Sequence, residues 1–81
     1  MVPRRTRISL QQAFGRTVRE LRKELGLSQE EFGFRTDLHR TYVSLLERGL
    51  KSPTLNSIER IARALGMKPS EVVGGAEKKT R

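Results

Sequence analysis

The sequence of 81 residues predicts an all-α fold. Its apolar residues recur at steps of three and four, the spacing of one face of an α-helix. Glycines follow three of these segments, as they commonly do at helix C-termini. No segment alternates apolar and polar residues like a strand. One domain commonly takes roughly 100–200 residues, so a single helical domain is expected.

The first predicted helix begins after Ser9, a residue type that commonly caps helices, and ends at Gly26. Its apolar face consists of Leu10, Phe14, Val18, Leu21 and Leu25. Its opposite face carries the basic residues Arg16, Arg19, Arg22 and Lys23. The second helix is short: it opens with a capping box of Ser28 and Glu31 and ends near Asp37, a residue type that tolerates left-handed backbone.

The third helix is predicted from about His39 to Arg48, with Gly49 as its stop. Its inner residues are Leu38, Tyr42 or Val43, and Leu46. Thr54 caps a fourth helix that ends at Gly66. The apolar face of that helix consists of Leu55, Ile58, Ile61, Ala62 and Leu65. Pro69 then begins a fifth helix of at most two turns.

These elements divide the chain into a basic flexible arm (residues 1–8), a folded domain (residues 9–73) and a basic disordered tail (residues 74–81). The net charge of +8 suits a polyanionic partner. However, the six cations of the arm and tail, less Glu77, supply five of the eight positive charges. The domain itself is therefore only mildly basic, and charge alone leaves the function open.

Several classes of protein are not expected. The absence of cysteine excludes a disulfide framework and a thiolate zinc site, and it favours the cytoplasm. No apolar run approaches the roughly 18 residues of a membrane span, and no signal-peptide pattern is found. The lone His39 supports no metal site, and the pairs Glu47 with Arg48 and Glu59 with Arg60 are interpreted as surface charges. We expect no enzyme activity, cofactor or small-molecule substrate.

The motif that indicates a function spans residues 28–48. It consists of a capped two-turn helix, a tight turn, and a helix that begins with polar and basic side chains. This order is typical of a helix-turn-helix, whose second helix enters the major groove of DNA. The side chains that would face the base edges are Arg40, Thr41 and Ser44.

Four stretches resemble the phage-repressor-like (Xre-type) helix-turn-helix family: LSQEEF at 27–32, RTYVSLLERG at 40–49, the SPTL loop, and IARALGM at 61–67. Within that family, the run FRTDLHRTYVS is most similar to small stand-alone members such as restriction–modification controller proteins. The resemblance implies a compact five-helix, lambda-repressor-like domain. Its implied function is transcriptional regulation, by binding a palindromic operator in double-stranded DNA as a homodimer.

The resemblance also implies roles for single residues. The base-reading positions are Arg40, Thr41, Ser44 and Leu45. The positions that face the DNA backbone are Gln29, Tyr42, Arg48 and Lys51. A homodimer is favoured independently by the small core. Its interface is predicted near the ends of helices four and five, if the apolar residues there are partly exposed: Leu65, Met67, Val72 and Val73.

Alternatives remain open at this stage. Arg40 is either a base contact or a solvated charge, although the first turn of a helix disfavours cations. Tyr42 either contacts phosphate or packs its ring at the core edge. Leu45 either joins the core or touches a thymine methyl group. Phe34 points to solvent, where it either contacts the N-terminal arm or a partner chain or is simply exposed. For the whole chain, the alternative function is an antitoxin or adaptor that binds protein through the same fold.

Overall fold

The computed structural model describes residues 8–80, and this part of the chain contains five helices. They are α1 (Leu10–Glu24), α2 (Gln29–Thr36), α3 (Arg40–Glu47), α4 (Leu55–Leu65) and α5 (Pro69–Lys79). All regular structure between residues 8 and 80 is helical, which confirms the predicted all-α fold. The predicted arm lies outside the described residues except for Ile8.

The first two helices begin at the predicted capping residues. The Ser9 and Ser28 hydroxyl groups each accept a hydrogen bond from the backbone N–H three residues ahead, at 3.1 and 3.0 Å. The Ser28 backbone N–H donates in return to the Glu31 carboxylate at 2.8 Å. This bond holds the pKa of Glu31 below its ordinary value. The α2 end is also as expected, because Asp37 adopts left-handed backbone with φ of 59°.

The core forms where α1 packs against α3, α4 and α5, and α2 packs against α3 and α4. Its buried members are Ala13, Phe14, Val18, Phe32, Val43, Leu46, Ile61, Ala62, Val72 and Ala76. Three leucines of the predicted apolar faces are exposed instead: Leu10, Leu25 and Leu55. Leu10 and Leu55 are the first residues of their helices, and Leu25 is a C-cap. Helical side chains lean toward the N-terminus, so a first residue extends over the preceding loop rather than the core.

The fifth helix is longer than the sequence predicts. It continues to Lys79, so the prediction of a disordered tail is wrong for residues 74–79. Ala76 fixes this extension because it is fully buried in the core, and Lys79 Nζ forms a 3.0 Å ion pair with Glu20 of α1. Val72 is also fully buried, which corrects the expectation that it is partly exposed. Residue 81 of the predicted tail lies outside the described part of the chain.

Gly74 gives a test of how α5 is stabilised. It lies inside the helix, where glycine is less favourable than alanine, and an added Cβ would meet no atom within 4 Å. We therefore expect Gly74→Ala to raise the free energy of unfolding by about 0.5–1 kcal/mol, measured by urea denaturation. Gly66→Ala is a matched control, since the Cβ has the same room there but φ is 70°. That control should destabilise by about 1–2 kcal/mol, and equal effects at both positions would contradict the prediction.

Candidate nucleic-acid interface

One face of α3 carries the side chains that the sequence assigns to DNA. At helical spacing this face consists of Arg40, Thr41, Ser44, Leu45 and Arg48. The opposite side is buried and consists of Val43, Leu46 and Glu47. Arg40, Thr41 and Arg48 are exposed, and Ser44 and Leu45 are partly buried. Lys51 follows in an exposed loop, so the accessible face continues beyond the helix.

Tyr42 and Leu45 differ in how they relate to the core. The Tyr42 side chain is partly buried and packs against the core cluster, as the core-edge interpretation requires. Leu45 is also partly buried, but it lies outside the set of apolar residues that pack against that cluster. Part of its surface therefore remains accessible beside Thr41 and Ser44.

The start of α3 is fixed by a histidine cap and a tight turn. His39 is the N-cap, and its Nδ1 accepts a hydrogen bond from the Thr41 backbone N–H at 3.0 Å. Before it, the backbone of α2 passes very close to the turn, because a Cβ on Gly33 would lie 2.5 Å from the Leu38 carbonyl oxygen. Only glycine avoids a steric clash at this position. Together these contacts set the direction in which Arg40 leaves the turn.

A buried ion pair fastens the far end of α3 to α1. Arg22 Nε lies 2.7 Å from Glu47 Oε2 and Arg22 Nη2 lies 3.0 Å from Glu47 Oε1. Arg22 Nη1 also donates to the Leu27 carbonyl oxygen at 2.6 Å. Both side chains are almost fully buried, at 8% and 2% exposure. This arrangement corrects two predictions: Arg22 does not lie on the solvent face of α1, and Glu47 is not a surface partner of Arg48.

Gln29 joins the same network from α2. Its Nε2 donates to Glu47 Oε1 at 3.0 Å, so one carboxylate links α1, α2 and α3. Gln29 is only partly buried, and its position at the N-terminus of α2 leaves it at the edge of the accessible surface. A residue that the resemblance assigns to the DNA backbone is therefore hydrogen-bonded directly to the last residue of α3.

The backbone of α1 also supports α3. At Gly15 the two helices approach so closely that a Cβ would collide with the Leu46 carbonyl oxygen and would lie 2.9 Å from that of Glu47. Gln11 Nε2 donates to the Gly49 carbonyl oxygen at 2.8 Å, just after α3 ends. These contacts hold the C-terminal end of α3, away from Arg40 and Thr41.

Arg40 is not free of partners on the surface. Its Nη1 lies 3.8 Å from Glu30 Oε1, and both side chains are more than half exposed. Such an exposed pair contributes little to stability, so Arg40 remains available to a ligand. Beside it lies an open cavity of about 530 Å³ between α2 and the start of α3, lined by Arg40, His39 and Phe34 among others. Phe34 is 80% exposed, as the sequence predicts.

The sequence is similar to those of known helix-turn-helix proteins. The family model for the helix-turn-helix, HTH_3, matches residues 18–72. The chain belongs to this family. The control protein C.BamHI of Bacillus amyloliquefaciens is 42% identical to it over 72 residues, which cover 82% of this chain and 89% of the relative. The control protein C.MunI of a Mycoplasma species is 42% identical over 66 residues, covering 80% and 89%.

A solved structure also agrees with membership of the HTH_3 family. The restriction-modification controller protein C.AhdI from Aeromonas hydrophila has a TM-score of 0.73 and 43% identity, covering 75% of this chain and 92% of that chain. The protein is thus a transcriptional regulator of the helix-turn-helix type, related to restriction–modification controller proteins. These relationships confirm the resemblance stated from the sequence, and they agree with the expectation of a regulator rather than an enzyme. Within residues 8–80, no helix is both long and apolar enough to cross a membrane.

Proposed function

We propose that the protein is a sequence-specific regulator that binds a palindromic operator in double-stranded DNA as a homodimer, in the cytoplasm. The observation that supports this most directly is the accessible face of α3, which brings together Arg40, Thr41 and Ser44. The major groove is about 12 Å wide and admits one α-helix. The Arg22–Glu47 ion pair joins the C-terminal end of α3 to α1. It thereby fixes the position of α3, and of these side chains, relative to the rest of the domain.

Within this function the residues divide into two groups. Arg40 at the start of α3 is the principal base reader, because an arginine can pair with both O6 and N7 of guanine. Thr41, Ser44 and Leu45 complete the base-reading face. Contacts to phosphate come from Gln29, Tyr42, Arg48 and Lys51, and these contacts position the protein without reading sequence.

Dimeric binding follows from the small reach of one helix. A single α3 reads only a few base pairs, which are too few to select one site in a genome. Two copies related by a two-fold axis would place their α3 helices about 34 Å apart, one turn of duplex. The interface is proposed between the end of α4 and the first half of α5, where Leu65, Met67 and Val73 are partly exposed. Such apolar surface is suited to a self-complementary contact.

Selection from a pool of random duplexes tests the whole proposal. The protein should enrich one palindromic sequence, with half-sites about one helical turn apart. Its affinity for that sequence should fall steeply as salt rises, because phosphate contacts release counterions. Weak binding to every duplex without enrichment would contradict the proposal and favour a protein-binding adaptor or antitoxin.

Arg40→Ala distinguishes base reading from phosphate contact. We expect it to lower the affinity for the selected operator more than for random duplex, because each arginine–guanine pair discriminates by about 1–3 kcal/mol. Titration of both duplexes by fluorescence anisotropy measures the difference. Lys51→Ala is the control and should weaken both duplexes equally; Gln29→Ala is unsuitable because that side chain also bonds Glu47. An equal loss of affinity for both duplexes on Arg40→Ala would show that Arg40 contacts phosphate and does not read bases.

A further inference from the structure

The outer face of α1 carries a row of cations that the proposed function does not use. Arg16, Arg19 and Lys23 follow one another at steps of three and four residues, so they lie on one side of the helix. Gln12 continues the line toward the N-terminus. All four side chains are exposed, and none of the three cations belongs to an ion pair within residues 8–80. We refer to Gln12, Arg16, Arg19 and Lys23 as the basic row.

The acidic residues of α1 do not neutralise this row. Glu20 is held toward α5 by its 3.0 Å ion pair with Lys79. Glu24 lies at the last position of the helix, and in the described part of the chain no carboxylate oxygen lies within 4 Å of a cation of the row. The basic row therefore holds three cations without a paired carboxylate, and such a cluster attracts a polyanion.

The N-terminal end of the basic row borders the segment that follows α3, where the proposed function gives Lys51 a phosphate contact. At the N-terminal end, Gln12 lies against the backbone of Gly49, since a Cβ added to Gly49 would lie 2.9 Å from Gln12 Cγ. Lys51 follows two residues later. At the C-terminal end, Lys23 follows Arg22 in the chain, and Arg22 is linked to Gln29 only through Glu47. The three cations from Arg16 to Lys23 extend about 10 Å along the helix, at about 1.5 Å per residue.

We infer that the basic row binds the phosphate backbone of DNA that flanks the operator. The inference rests on the proposed function, which places Lys51 and Gln29 against phosphates. Double-stranded DNA carries one negative charge per about 1.7 Å of axis, so three cations spread over about 10 Å can meet several phosphates. Contacts of this kind carry no sequence information. The row therefore adds affinity for a longer duplex and leaves the choice of sequence to α3.

The test is the salt dependence of binding by the variant Arg19→Gln/Lys23→Gln. The probes are two random-sequence duplexes: one just covers the protein, and the other is longer by about one helical turn at each end, roughly ten base pairs. On the longer duplex, the slope of log affinity against log salt should become less steep by about two per bound protomer, since each phosphate contributes about −0.9. On the shorter duplex the slope should change much less.

Two control variants separate a specific contact from a general effect of charge. Arg19→Lys/Lys23→Arg keeps both charges and should keep the wild-type slope. Arg63→Gln/Lys78→Gln removes one exposed arginine and one exposed lysine from α4 and α5, and it should leave the difference between the two duplexes unchanged. The inference is overturned if Arg19→Gln/Lys23→Gln keeps the wild-type slope, as expected for a row that faces solvent or another protein. An equal loss in Arg63→Gln/Lys78→Gln would also overturn it.

Failure of this inference is distinguishable from failure of the proposed function. Random duplexes measure the basic row without any contribution from base reading by Arg40. The proposed function is tested separately, by enrichment of one sequence from the pool. If the wild-type protein enriches a palindrome but Arg19→Gln/Lys23→Gln has the wild-type salt slope, the proposed function stands. Only the inference about the basic row then fails.

Discussion

Glu47→Gln is expected to lower the free energy of unfolding by about 3–5 kcal/mol, the usual cost of breaking a buried ion pair at one partner. The substitution would leave the Arg22 guanidinium buried without an opposite charge. Glutamine retains the shape of the side chain, so the loss would report charge rather than packing. Small domains have only about 5–15 kcal/mol of stability. We therefore expect a large fall in the urea concentration at the unfolding midpoint, with unfolding monitored by circular dichroism.

Two comparisons make the Glu47 result interpretable. Glu59→Gln removes an exposed carboxylate from α4 and should change stability by less than about 0.5 kcal/mol. The double variant Arg22→Met/Glu47→Leu removes both charges and should regain much of the loss, because apolar residues often replace buried ion pairs without cost. A Glu47→Gln protein as stable as wild type would show that the pair contributes nothing to the fold.

The helix boundaries other than the end of α5 were predictable because they depend on neighbours in sequence. Ser28 and Glu31 form their capping box across three residues, and a glycine with positive φ closes the first and fourth helices at Gly26 and Gly66. Capping chemistry of this kind acts within one turn. It therefore does not depend on how the helices later pack, and local sequence is sufficient.

The sequence did not predict the buried Arg22–Glu47 ion pair, because charged residue types usually indicate exposed positions. Arg22 lies four residues after Val18, and Glu47 lies four residues after Val43, so both follow buried positions on the inner side of their helices. Charged residues are seldom buried unless they are paired, and the two partners are 25 residues apart in sequence. Their helical positions were the available signal. The partnership itself depends on the packing of α1 against α3.

The length of α5 was missed for a related reason. Ala76 lies four residues after Val72, which is the spacing of one buried face. Gly74 and Gly75 between them are unfavourable in helices, so local propensity predicts an end near Val73. Packing on α1 outweighs that preference, since helical stability in proteins comes mostly from burial of one face.

The proposed dimer leads to the largest expected effect on DNA binding. Met67→Asp/Val73→Asp should yield a monomer, because both side chains are partly exposed in the single chain. Both also pack against the core cluster, so circular dichroism must first show that the variant is folded. One α3 would then contact one half-site, and affinity for the full operator should fall by roughly 10³-fold or more, toward the level of non-specific binding. Sedimentation and titration of the operator measure the two changes. Val72 is left intact because it is fully buried.

Leu55→Asp is the control for the dimer experiment, because Leu55 is 85% exposed at the opposite end of α4. It introduces one aspartate on an accessible apolar residue, against two in the test variant, and should leave both the dimer and operator binding intact. A monomer produced by Leu55→Asp, but not by Met67→Asp/Val73→Asp, would move the interface to the start of α4. A wild-type protein that sediments as a monomer at micromolar concentration, with one chain bound per operator, would contradict dimeric binding itself. In that case Arg40 and its neighbours on a single α3 would have to supply all the base contacts, and the selected sequence should lack two-fold symmetry.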